Sequence, residues 1–468
     1  MQSARWCLAL LVTLVSGCRL NLKEFHEIKI ATNLNPSALQ KLCGQSVSGA
    51  CALIGAPSAA HHSLPILQGV TSEEQSRFVV LAPKSETLDY YVRRPGHLEH
   101  LSPQRVERDF SDQAIDQFTI VGLNINESYE LIVLGSGGEL WDRRTFHSLN
   151  LRQARAKILL ISCLDDSLIE VANKIWPEAL AQKPEAILMI GDNVYADKKN
   201  GIPNPADPQQ IWQRYVDTRL TLPVFRASEL VPVFATWDDH DFGRNDSDRT
   251  FPYKEAAKDT FFAFFPQRES ADGFERGLGV ASYLTAFGVH FALLDDRSFR
   301  TPNQMDIPDQ SHFGQDQEVW LQQKLQQANS PVFLVSGDQF FGGYHERESF
   351  EGSHPRSFKA SLQKWRHTEA PLVFLSGDRH LTEIIDVPEE FLGYSTFEIT
   401  SSPMHARVFP GELLRKPNPR QIVGRDGTYN YSIIEIMNVD HKHLQFAVST
   451  FTLDQQLIFQ KTLTVSKP

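Results

Sequence analysis

The densest group of reactive side chains in the 468-residue chain is WDDHDFGRND (237–246). Here Asp238, Asp239, Asp241 and Asp246 surround His240, with Arg244 and Asn245 beside them. Three other segments share its design, a short apolar run that ends in charge. They are AILMIGDNVYAD (186–197), PVFLVSGDQ (331–339) and PLVFLSGDRH (371–380). A further run, KILLIS, ends in Cys163. Apolar runs this short are the mark of strands buried on both faces. Open α/β sheets bind their ligands off the carboxyl ends of such strands. On this reading, strand ends deliver Cys163, Asp192, Tyr195, the 238–241 acids with His240, Asp338, Asp378 and His380 to one edge.

Converging carboxylates repel one another, and each has its pKa raised. A cation offsets both the repulsion and the desolvation, and a set of O, N and S donors suits one. Two metals that share a bridging carboxylate account for the number of acids. A single Gly-Asp after a strand is ordinarily a turn or a helix cap. Its repetition, with His or Tyr close by, is not explained that way. Cys163 alone reads as a small buried hydrophobe; at this strand end it reads as a ligand. His290, inside the apolar run GVHFALL, reads as structural. Asp295 and Asp296 also read as structural, with one of them orienting Arg297 or a ligand-bearing loop. Asp238, Asp239 and Asp241 cannot all point inward over so short a stretch. The sequence leaves open which of them touch metal and which support.

The elements that position these residues follow from the pattern. From residue 157, strands alternate with helices: strand KILLIS, a helix around 167–182, strand AILMI, then a helix that opens at ADPQQIWQRY. There Asp207 is the N-cap and Pro208 the first helical residue. Strand VPVFAT and helices near 254–265, 315–328 and 355–366 follow, with strands ASYLTAF, VHFALLDD, VFLVS and LVFLS between them. The chain returns to β at TFEITS, YNYSIIEIM, LQFAVSTF and QLIFQKTLTV. The fold class is α/β (α+β), a two-sheet sandwich flanked by helices over 151–468. Residues 63–150 are β in texture and resemble an immunoglobulin- or fibronectin-like sandwich, with Tyr129 as its corner tyrosine. Residues 1–18 read as a signal peptide. Arg5 precedes a short apolar stretch, and Val15-Ser16-Gly17-Cys18 resembles a bacterial lipobox with Cys18 lipidated; a plain secretory signal is the simpler alternative. Residues 19–62 form a tether in which Cys43 and Cys51 either pair or remain free.

The pieces ISC (161–163), GDNVY (191–195), WDDHDFGRND (237–246), LLDDRSFR (293–300), SGDQFFGGYHERESFEG (336–352) and SGDRHLTE (376–383) together resemble the alkaline phosphatase D (PhoD-like) metallophosphatases, within the calcineurin-like phosphoesterases. The resemblance runs from about residue 65 to 410 or beyond. It implies that Asp192 bridges two metals, that Tyr195 and Cys163 bind ferric iron, and that Asp239, Asp338, Asp378 and His380 complete the metal shells. It implies calcium as the partner metal, which carboxylate donors suit. Several histidine ligands of related enzymes are aspartates here (338, 378), which favours hard cations. His240 is the implied catalytic histidine beside Asp192.

The expected chemistry is hydrolysis of phosphate esters by metal-activated water, with His240 assisting the leaving oxygen. Arg244, Asn245, His345 and Arg379 are candidate contacts for the phosphate oxygens, with Asp238 as a support or substrate contact. Monoester and diester substrates, including lipid or cell-wall polymers, both remain open. A reading from another class is a non-catalytic phosphate- or polymer-binding surface lipoprotein. The net charge of −11 argues against a nucleic-acid partner. A monomer held to the cell envelope through Cys18, exposed to the periplasm or the surface, is the expected setting.

Overall fold

The structure, a computed structural model, describes residues 64–468 apart from 126, 304–306 and 344–346. The signal, the tether, Cys18, Cys43, Cys51 and His345 therefore lie outside the described residues.

Short β-rich runs broken by Gly, Pro and Asn make two four-stranded antiparallel sheets between Ile66 and His147. One orders Ile66–Thr71, Gln75–Pro83, Gln113–Val121 and Gln104–Val106; the other orders His97–Leu101, Leu88–Arg94, Ser128–Gly135 and Leu140–His147. Phe78 and Phe118 from the first and Tyr90, Tyr129 and Phe146 from the second share one core. Tyr129 Oη donates to Glu127 at 2.9 Å and accepts the Asn124 N–H at 2.8 Å, which pins the corner before its strand.

The remainder is mixed α/β. A six-stranded sheet sets Val233–Thr236, Ala186–Ile190 and Ala156–Ile161 in parallel, then continues antiparallel through Asn430–Val439, His443–Thr452 and Leu457–Ser466. In an eight-stranded sheet, Val289–Leu293, Val332–Val335, Leu372–Ser376 and Thr396–Ser401 run parallel as neighbours. Leu160, Ile190 and Phe234 of the first sheet join Leu334, Phe374 and Ile399 of the second in one cluster. The Phe333 and Phe446 rings meet edge to face at 5.6 Å between the sheets. Helices Ile169–Leu180, Pro208–Thr221 and Lys254–Phe264 bury their apolar faces in the cluster on the far side of the six-stranded sheet. Helices Gln315–Gln327 and Pro355–Trp365 pack into the core of the other sheet. Asp207 caps Pro208–Thr221 by accepting the Gln210 N–H at 2.9 Å.

Two further features frame the site. The acidic run after Val233–Thr236 is a single helical turn, Asp239–Phe242, with Asp238 as its N-cap. Strands Leu381–Val387 and Gln421–Asp426 extend the eight-stranded sheet past Thr396–Ser401.

Candidate metal centre

The parallel strands of both sheets end at one edge, and the chain leaves them through backbone that few side chains adopt. Cys163 (φ 59°), Asp192 (φ 51°), Asp378 (φ 54°) and His380 (φ 50°) are all left-handed, a conformation that costs about 1–3 kcal/mol at a non-glycine residue. Gly191 has φ 107°, and a Cβ there would lie 2.6 Å from Asp238 Cβ. The loops interlock: Cys163 N–H donates to the Gly191 carbonyl at 3.2 Å, and Leu164 N–H to the Asp192 carbonyl at 2.8 Å. Asp241 ties the next loop in, its carboxylate accepting the Val194 N–H (3.0 Å) and the Asp238 N–H (3.1 Å). That engages both oxygens of Asp241 as structural acceptors.

Among the described residues three clusters of metal-competent atoms result: Cys163, Asp192 and His380; Asp192, Asp239 and His240; and Asp238, Asp338 and Asp378. Within each, one donor atom per residue lies within 4.8 Å of the others. Asp192 belongs to two of them, the position of a bridging ligand. Both Asp192 carboxylate oxygens are buried with no hydrogen-bond partner, as are Asp239 Oδ1 and Asp378 Oδ2. Buried acceptors with no donor are costly unless a cation satisfies them. This donor chemistry fits metal.

The side chains of the first cluster are in ligand-ready states. The carbonyl of Arg407 accepts from His380 Nδ1, so the neutral ring keeps a lone pair at Nε2, 3.3 Å from Tyr195 Oη. Burial holds His380 down to about 4, which keeps it neutral. Burial, with Asp192 next, pushes the Cys163 thiol and the Tyr195 phenol well up. Ser162 and Ser402 hydroxyls donate to the Cys163 sulfur at 3.4 and 3.1 Å. A bound cation would oppose both upward shifts and would deprotonate a coordinating thiol.

His240 is positioned differently. Its Nδ1 lies 2.7 Å from Asp197 Oδ1, and a carboxylate only accepts, so Nδ1 carries the proton. Its Nε2 is 3.3 Å from Lys198 Nζ. Burial alone would lower the imidazole, but Asp239, Asp192 and Asp197 outweigh it and raise it to about 9. Burial raises Asp192 to about 7, opposed first by the charge of His240 and assisted by that of Asp239. Asp239 Oδ2 accepts the Asp246 N–H at 2.6 Å while its Oδ1 has no partner.

The remaining expected contacts are placed as follows. Arg379 is buried and held by Glu348 and Glu412. Arg244 is exposed and donates Nε to the Pro205 carbonyl at 3.1 Å. Asn245 is exposed, and its N–H donates to Asp197 Oδ2 at 3.1 Å. Asp238 Oδ1 accepts Arg297 Nε at 2.5 Å, so this residue meets an arginine inside the fold. His290 stays in its strand, between the Thr285 hydroxyl (3.0 Å) and Asn329 (3.3 Å). Asp295 Oδ1 accepts the Arg297 N–H (3.1 Å) and Asp296 Oδ2 the Asp338 N–H (3.0 Å), so each holds a loop of the site. The sequence offered no sign of Asp197, Lys198, Arg300 or Glu348. The four residues between Asp192 and Asp197 match no periodic pattern, and only the turn at Ala196–Asp197 brings the Asp197 carboxylate to His240.

A buried carboxylate centre short of donors, at the strand ends of a mixed α/β fold, fits a metal-binding site. The comparisons narrow this. The chain belongs to the PhoD-like phosphatase family, which matches residues 158–446, and is a phosphoesterase. A solved structure described as that of PhoD superposes with a TM-score of 0.62 at 15% identity, over 88% of this chain and 94% of that one. That likeness bears on the fold. A structure of Astrotactin-2, a vertebrate-specific, perforin-like membrane protein, aligns at a TM-score of only 0.16 and carries no argument. No curated protein matches the chain.

Proposed function

We propose that the chain hydrolyses phosphate esters at a two-metal centre. Cys163, Asp192, Tyr195 and His380 would hold iron; Asp192, Asp239 and further carboxylates would hold calcium. The observation that carries this reading is Asp192, with both oxygens buried, unpartnered and shared by two donor clusters. The metals, when bound, supply charge stabilisation and a nucleophile at neutral pH. The chain's own contribution is positional. Asp197 fixes the His240 tautomer and leaves Nε2 as the atom that hands a proton to the leaving oxygen. Arg379, kept in place by Glu348 and Glu412, and Arg244, Asn245 and His345 are proposed contacts for phosphate oxygens. The fold is proposed as calcineurin-like, preceded by an immunoglobulin- or fibronectin-like sandwich. Attachment to a bacterial envelope through lipidated Cys18 is proposed from the lipobox resemblance, and loss of membrane association in Cys18→Ala tests it.

Metal analysis of the purified protein, paired with assays on p-nitrophenyl phosphate and its bis ester with and without chelator, tests the chemistry and resolves monoester from diester preference. Asp192→Asn is expected to lose bound metal and to lower turnover by about three orders of magnitude or more. A variant that kept both its metals and full activity would show that Asp192 does not bridge.

A further inference from the structure

The three acidic clusters at this edge are not equivalent. Two contain Asp192 and have oxygens with no donor. The third, Asp238, Asp338 and Asp378, already contains cations of its own. Arg297 Nε donates to Asp238 Oδ1 at 2.5 Å, and Arg297 Nη2 donates to Asp338 Oδ1 at 2.9 Å. Arg300 Nη1 donates to Asp338 Oδ2, and His312 Nε2 lies 3.5 Å from the same oxygen. Asp238, Arg297, Asp338 and Arg300 are each at most 1% exposed. Of the four carboxylate oxygens of Asp238 and Asp338, only Asp238 Oδ2 lacks a donor.

The arginines are themselves anchored. Arg300 Nε and Nη2 donate to Asn303 Oδ1 at 3.0 and 2.9 Å, and Nη2 also donates to the Arg347 carbonyl at 2.6 Å. The Asp295 carboxylate that accepts the Arg297 N–H also accepts Trp237 Nε1 at 2.8 Å. A guanidinium cannot give up its proton in a protein, so this compensation is permanent. A divalent ion placed between Asp238 and Asp338 would meet a fixed positive charge and, Asp238 Oδ2 apart, oxygens already in use. Asp378 differs: the charged groups that bear on it most are Glu348, Asp338, Asp239 and Asp192, all acids.

We infer that Arg297 and Arg300 are the built-in cations of the Asp238–Asp338 pair, that neither of these carboxylates binds metal, and that the carboxylate ligands of the centre are Asp192, Asp239 and Asp378. This rests on the two-metal reading and removes Asp338 from the ligand set that the family resemblance implied. Arg297 then acts as a positioning residue. It joins the loops after Val233–Thr236, Val289–Leu293 and Val332–Val335 whether or not metal is bound.

The test is metal stoichiometry of the full chain by elemental analysis, with folding checked by circular dichroism. Asp338→Asn and Asp238→Asn are expected to keep the wild-type metal-to-protein ratio, whereas Asp378→Asn and Asp239→Asn each lose about one equivalent. Because Asp338→Asn unbalances two buried arginines, the double variant Asp338→Asn/Arg300→Gln, which removes one charge of each sign, is measured beside it. Loss of an equivalent in the folded double variant overturns the inference. Wild type that takes up no metal even after incubation with ferric and calcium salts overturns the two-metal reading, and the inference with it. Metal present in wild type and lost in the folded double variant overturns the inference alone.

Discussion

Within the run 237–246, neighbouring acids do unlike work. Asp241 accepts two backbone N–H groups and Asp238 meets Arg297, while Asp239 turns an unpartnered oxygen into the donor clusters. His240 is held by Asp197 from the loop before it. His240→Asn is expected to cut kcat by roughly 10²–10⁴-fold while the metal-to-protein ratio holds; loss of metal instead would make His240 a ligand. The metal-free protein should also carry a distinctive pH dependence. His240 is raised from 6.5 to about 9 and Asp192 from 3.8 to about 7. Each therefore binds its proton more tightly folded than unfolded. Their contribution to stability is complete below the unfolded values and is lost as pH rises through the folded ones. Chelated protein is expected to melt at a lower temperature at pH 9 than at pH 6, with a shallower slope after metal is restored. A melting temperature that rises over this window would refute the assignment.

At the scale of the element, the site depends on strands that stop abruptly and turn through left-handed backbone. Gly191 is doubly constrained, because its φ of 107° and the proximity of Asp238 both exclude a side chain. Gly191→Ala is expected to destabilise the fold by roughly 2–4 kcal/mol and to weaken metal retention, since Asp192 is the next residue. Denaturant unfolding together with metal analysis measures both. Unchanged stability would mean that the turn is not under this constraint. Glu398 supports a neighbouring loop from inside the sheet. It accepts the Phe340 and Phe341 N–H groups, each at 2.7 Å, and the Ser376 hydroxyl at 2.7 Å. The segment after Asp338 is thereby anchored from beneath as well as by the arginines.

For the whole molecule, the N-terminal sheets and the metal-bearing part share packing. Leu67, Val79, Leu81 and Ile115 lie in the same cluster as Trp212, Phe262 and Phe265. Gln117 donates to the carbonyls of Phe262 and Ala263 at 2.9 and 2.8 Å, and Leu230 N–H donates to the Thr145 carbonyl at 2.8 Å. A shared core couples unfolding, so calorimetry of the residue 64–468 protein should give one transition. Two separated transitions would show that the units are independent.

The gathering of Cys163, Asp192, Tyr195, Asp239, Asp378 and His380 on one edge was legible in the sequence, because each follows a short apolar run and strand direction alone sends them to the same side. The helix at Pro208 was legible from its cap, a local signal. The partners of these residues were not. Arg297 and Arg300 reach Asp338 from about forty residues away, and Asp197 reaches His240 from as far. The sequence by itself determined the strands, their order of charge and the chemistry their ends can supply, since these depend on residue type and short-range periodicity. Only the tertiary structure decided which acids stand bare and which are neutralised by arginine. That choice rests on the packing of separate loops in a low-dielectric interior, where a few ångströms separate a ligand from a buried salt bridge.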